Sequence, residues 1–103
     1  MDNQFGLKKE DIEAIISILK TKEDVEQAIL FGSRAKGNYK AGSDVDIALK
    51  GENINSDTIT QIRYLLNEET IMPYKFDVFN YNTISNKALV DYINRVGKIL
   101  FTH

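Results

Sequence analysis

Asp44 and Asp46 stand one residue apart at the head of an apolar run, Val45-Asp46-Ile47-Ala48-Leu49. On an extended strand, side chains two apart share a face and lie ~6.6 Å apart along the chain. Two carboxylates so placed repel each other and lose hydration, so positive charge has to compensate. A hard divalent ion such as magnesium does this economically, because it takes oxygen ligands from one or two carboxylates and from substrate phosphates. Asp77, within Lys75-Phe76-Asp77-Val78-Phe79, is the third candidate. Alternation sets Asp77 and Phe79 opposite to Phe76 and Val78. If its strand lies beside the first, three carboxylates meet from neighbouring strands. That set suits two magnesium ions ~3.5–4 Å apart and an in-line displacement at phosphorus.

A blander reading competes. Asp44, after Gly42-Ser43, has the residue type of a turn or cap, and Asp46 and Asp77 could line solvated edges. For Asp-x-Asp alone the bland reading leads. The third aspartate narrows the margin, and the stretch upstream shifts it. There Leu30-Phe31 runs into Gly32-Ser33 and then Arg34-Ala35-Lys36-Gly37, room for one or two helical turns. Glycine lets backbone approach a ligand closely and takes positive φ. Amides that follow such a turn, with the Ser33 hydroxyl, can hold an anion. Arg34, Lys36 and Lys40 add positive charge between this turn and the aspartates. A triphosphate fits that order, its outer phosphates on the turn and its inner one toward metal. Taken alone, Gly-Ser is equally an ordinary turn with a solvated basic loop. Two other patterns fail. A Walker A loop needs Lys and Ser/Thr after its second glycine, where Asn38 and Tyr39 stand. An EF-hand begun at Asp44 needs Gly and Glu where Leu49 and Asn55 stand.

The elements that must carry these residues follow from periodicity. Ile12, Ile15, Ile16 and Leu19 form one helical stripe, Ile59, Ile62, Leu65 and Leu66 a second, and Leu89, Tyr92, Ile93 and Val96 a third. Asn55 or Ser56 suits the N-cap of the second helix and Gly97 the C-terminal cap of the third. Short apolar runs predict strands over 25–32, 44–50 and 75–81, with Lys98-Ile99-Leu100-Phe101 as a brief last one. The alternation predicts an α/β or α+β domain: a small sheet with helices packed on at least one face.

Composition bounds the rest. The chain has 103 residues, enough for one domain, 1–103, with a modest core. Hydrophobic residues are 43% and charged residues 27%, which argues against disorder. A net charge of −2 argues against tight sequence-blind binding of nucleic acid. With no cysteine, disulfides and thiolate metal sites are excluded. No apolar run approaches a membrane span and the start lacks a signal-peptide core, so the expectation is a cytoplasmic protein. His103, the only histidine, stands at the frayed end and is a poor catalytic group. The five tyrosines read as packing or surface residues, with Tyr39 able to stack on a base only if its loop folds over a bound nucleotide.

Gly32-Ser33, ten residues, Asp44-Val45-Asp46, and a later strand aspartate, Asp77, together resemble the minimal nucleotidyltransferases of the DNA polymerase β-like superfamily. The likeness is close from Ile29 to Phe79 and covers every motif position. It implies that superfamily's fold, a small mixed sheet flanked by helices. It also implies magnesium-dependent transfer of a nucleoside monophosphate, AMP from ATP, to an acceptor hydroxyl with release of pyrophosphate. By position, Asp44, Asp46 and Asp77 would be the catalytic metal ligands, two ions being expected. Asp77 would serve the acceptor hydroxyl, through its ion or as the base itself. Gly32 and Ser33 would hold the phosphates, and Arg34 would steady the departing pyrophosphate. Proteins of this minimal type resemble antitoxins paired with HEPN-domain ribonuclease toxins, in which a toxin tyrosine is adenylylated. The implied partner is a HEPN-type protein. A binding antitoxin with a silent nucleotide site, and one half of a two-chain enzyme acting on a small molecule or RNA, are the alternative functions.

Overall fold

The computed structural model describes residues 5–102; His103, and with it the expectation of a frayed end, lies outside them. Helix α1 (Lys9–Lys20) leads to β1 (Gln27–Phe31), the one-turn helix α2 (Ser33–Lys36) and β2 (Val45–Lys50). Helix α3 (Ser56–Glu68) precedes β3 (Phe76–Asn80), and a 3₁₀ turn, α4 (Lys87–Val96) and β4 (Lys98–Thr102) complete the chain. Local signals start the helices. The Lys8 amide donates to the Asp11 carboxylate at 3.4 Å. Asn55 accepts from the Thr58 amide at 2.9 Å and Asn86 from the Leu89 amide at 3.2 Å. Gly97 ends α4 by donating its N–H to the Ile93 carbonyl at 2.8 Å.

The strands form one mixed sheet in the order β3-β2-β1-β4. β1 is antiparallel to β2 and to β4, and β2 runs parallel to β3. The last apolar run is thus a full partner of β1, from Gln27↔Thr102 to Leu30↔Lys98, with a bulge at Ala28/Ile29. A parallel pair needs a long crossover, and α3 supplies it between β2 and β3.

Alternation sends two sets of side chains to opposite faces. Ala28 and Leu30, Val45, Ile47 and Leu49, Phe76 and Val78 enter the larger core with Ile15 and Leu19 of α1 and Ile59, Ile62 and Leu66 of α3. On the other face Ile29, Phe31 and Ala48 gather under Ile93 of α4, with Phe79, Leu89, Tyr92 and Val96 partly buried beside them. Both faces are therefore covered, which is why β1 and β2 are almost wholly buried. Asp46 and Asp77 belong by alternation to the α4 face, where they interrupt the apolar set.

The outer border of β3 is closed by side chains of α3. The Asn67 carboxamide accepts from the Phe76 N–H at 2.9 Å and donates to the Phe76 carbonyl at 3.0 Å, as a neighbouring strand would. Arg63 donates to the Val78 carbonyl at 2.9 Å. An unpaired strand edge is a template for wrong pairing, and these contacts occupy it. Asn67→Ala should cost about 1–2 kcal/mol, because water re-satisfies the border only in part. Urea denaturation measures this, and an unchanged midpoint would show that Asn67 merely decorates the strand.

Candidate active site

The site forms where β1 ends and β2 and β3 begin. Phe31, the last residue of β1, lies opposite Asp46, and Asp46 lies opposite Asp77 across the parallel pair. The neighbouring strands that the third aspartate required are thus present. Asp44 precedes the first residue of β2 and is exposed, while Asp46 and Asp77 are half-buried. The Phe31 and Phe79 rings meet edge to face at 5.4 Å between centroids, an apolar floor beside the acidic end.

The charges of Asp77 and Asp44 act on Asp46. Burial, then the charge of Asp77, then that of Asp44 push the Asp46 carboxyl above the ordinary aspartate value. Each of these causes opposes ionisation, so Asp46 carries an uncompensated cost. The donor set is all oxygen, which fits a hard divalent ion. The carboxylates do not close around a point by themselves: among the described residues no three His, Cys, Asp or Glu side chains form a ready cage for a metal. A magnesium site that draws its remaining ligands from a substrate's phosphates has this open form.

Gly32 joins the turn to the acids. Its φ of 80° and ψ of −161° lie in a region essentially restricted to glycine. A Cβ there would fall on Oδ2 of Asp46 and 3.2 Å from its Cγ. Backbone therefore passes directly against the carboxylate. Ser33 opens α2, whose bonds run from the Lys36 amide to the Gly32 carbonyl at 3.0 Å and from the Gly37 amide to the Ser33 carbonyl at 2.9 Å. The first amides of such a turn have no partner within it and face outward from its start.

Arg34 does not do what the sequence suggests. It is 2% exposed. Its Nε and Nη2 donate to the Ser43 carbonyl at 3.1 and 2.9 Å, and its Nη1 to the Phe5 carbonyl at 2.9 Å. The Tyr39 and Tyr74 rings cover it at 5.4 and 5.0 Å. A guanidinium committed to backbone carbonyls and covered on its faces is not offered to pyrophosphate; burial, invisible in a local pattern, decides this. Tyr39 is likewise engaged with Arg34 rather than held out for a base. Lys36 and Lys40 are the exposed cations of the connection between turn and acids.

Residues 13–103 match the family model described as polymerase beta, nucleotidyltransferase. The chain belongs to that family. Among curated proteins none matches it. The nucleotidyltransferase fold of this domain is similar to that of chains from solved toxin–antitoxin complexes. One complex contains AMP-PNP: 20% identity, TM-score 0.75, covering 89% of this chain and 73% of the other. Another is a tri-AMPylated HEPN toxin of Shewanella oneidensis with its MNT antitoxin: 18% identity, TM-score 0.71, covering 92% and 72%. A third is the MntA–HepT pair: 17% identity, TM-score 0.70, covering 93% and 74%. At these identities the likeness is one of fold. No helix among the described residues is long and apolar enough to cross a membrane.

Proposed function

We propose that this nucleotidyltransferase domain moves AMP from ATP to a hydroxyl of a protein partner, a HEPN-type toxin, with Asp44, Asp46 and Asp77 as its working carboxylates. The observation that carries the reading is the Asp46↔Asp77 register beside the Gly32 backbone. It brings acidic oxygens and a close-packed turn to one end of one sheet face. The toxin–antitoxin relatives, one with AMP-PNP and one with an AMPylated toxin, support the choice of nucleotide and partner.

In this reading Gly32 and Ser33 hold the outer phosphates, with the turn's amides aimed at them. Lys36 and Lys40 draw the polyanion toward the turn. Asp44 and Asp46, with Asp77, would hold two magnesium ions, which supply charge neutralisation at the α-phosphate and acidify the acceptor hydroxyl. The acceptor oxygen bonds to the α-phosphorus as the bond to the bridging oxygen breaks. AMP remains on the acceptor and pyrophosphate leaves. Asp77 would receive the acceptor's proton.

The test is incubation with α-labelled ATP, magnesium and the protein encoded by the neighbouring gene. Label on that protein is the expected result. A tight complex without label would make the chain a binding antitoxin. Label on RNA or a small molecule would make it a catalytic subunit of another kind. Direct action on nucleic acid is not expected of a chain with net charge −2.

A further inference from the structure

Arg34 is the only charged residue fully buried among the described residues. We propose that it is a positioning residue for Asp44, pinning the loop that delivers this carboxylate to the acidic end of the sheet. The proposal rests on the function proposed above, and its test separates the two.

Asp44 precedes β2, so its own strand pairing does not place it. What fixes it comes from either side. On one side the Val45 amide donates to the Lys75 carbonyl at 2.9 Å. On the other, two N–H groups of Arg34 fork onto the Ser43 carbonyl, the peptide that joins Ser43 to Asp44. The loop before it is braced by Ser43, whose Oγ accepts from the Lys40 amide at 2.8 Å and whose N–H reaches the Lys40 carbonyl at 3.0 Å. The peptide that carries Asp44 is thus held on its N-terminal side by one guanidinium.

That guanidinium is itself held from several directions. Tyr74 lies over it from the lead-in to β3, and its hydroxyl donates to Asp11 of α1 at 3.0 Å. Tyr39 lies over it from the loop. Phe5, at a φ of 58°, turns its carbonyl toward Nη1. Gly6 follows at a φ of 72°, and a Cβ there would stand 2.7 Å from that same nitrogen. A non-glycine residue in the left-handed region signals backbone constrained by its contacts, and the Arg34 bond is one such contact here. Lysine keeps the charge but has no planar fork, so it cannot bridge two carbonyls in this geometry.

Arg34→Lys and Arg34→Ala are compared with the native chain in the labelled-transfer assay. We expect kcat to fall about 10–100-fold, as for a small misplacement of a reacting group. The magnesium needed for half-maximal rate should rise several-fold, with KM for ATP within about twofold of native. Added guanidinium ion should restore part of the kcat of Arg34→Ala. Amide exchange gives a readout without catalysis: exchange at the Val45 amide, bonded to the Lys75 carbonyl, should quicken while Leu30 in β1 stays protected. Should either variant fail to fold, Tyr39→Leu removes one covering ring, keeps the fork, and should shift the same quantities less. A raised KM for ATP at native kcat would make Arg34 a phosphate ligand and overturn the proposal. Native exchange at Val45 would overturn it too. If the native chain transfers nothing, the functional reading fails, and exchange still decides the pin.

Discussion

Asp46→Asn should abolish AMP transfer and, in the absence of metal, make the protein more stable at neutral pH. The two effects share one cause. Burial and the charges of Asp77 and Asp44 raise the Asp46 carboxyl above its unfolded value of about 3.8. The folded state then binds the proton more tightly than the unfolded one, so stability falls as pH rises. The contribution is fully present below the unfolded value and is lost as pH climbs through the raised folded value. An amide cannot ionise and avoids that loss. Melting in EDTA across pH 3 to 8 checks it: native and variant curves should converge in acid and separate toward neutrality. Transfer should drop on the order of 10³-fold, the scale seen when a group aimed at developing charge is removed. A variant that melts lower than native at pH 7 in EDTA, or that transfers AMP normally, would contradict the assignment of Asp46.

Gly32→Ala should damage fold and transfer together, unlike the aspartate change. Alanine at φ 80° and ψ −161° costs roughly 1–3 kcal/mol for the backbone alone. Its methyl group would also collide with the Asp46 carboxylate and force it or the turn to move. A shift of about 1 Å at a reacting group costs on the order of 10²-fold in rate. Denaturant titration and the transfer assay, run on one preparation, measure both. Loss of stability with native transfer would mean that the turn can reform without disturbing Asp46. The paired outcomes distinguish a residue that carries charge from one that makes room for it.

Much of this arrangement was legible in the sequence because it is written in short-range periods. The two-residue alternation of β2 set Asp46 on the face opposite Val45, Ile47 and Leu49, and the same rule set Asp77 opposite Phe76 and Val78. The stripes of α1, α3 and α4 and the Asn55 cap follow from helical spacing and from the chemistry of a free amide. Sheet order is different. Nothing local in Lys98–Thr102 says that it lies beside β1, since any strand of that length and character can take any border. Arg34 shows the same limit for a side chain. Its neighbours in sequence are those of an exposed basic loop, and Phe5, Tyr39, Ser43 and Tyr74, converging from three segments, bury it. Asn67 gave no local sign that it would stand in for a strand; its spacing from Phe76 becomes meaningful only once α3 lies along β3.

The closure of β3 by Asn67 and Arg63 has a bearing on self-assembly. Two copies that join by main-chain pairing cannot use the border of β3 closed at Phe76 and Val78, which leaves β4, at the other end of the sheet, and a β4-to-β4 union. An antiparallel union of that kind is two-fold symmetric and occupies the β4 border of each copy. The association is then self-limiting at a pair and does not run on as a filament, and both acidic ends remain outside the seam, about two strand spacings or roughly 10 Å from β4 at Asp46.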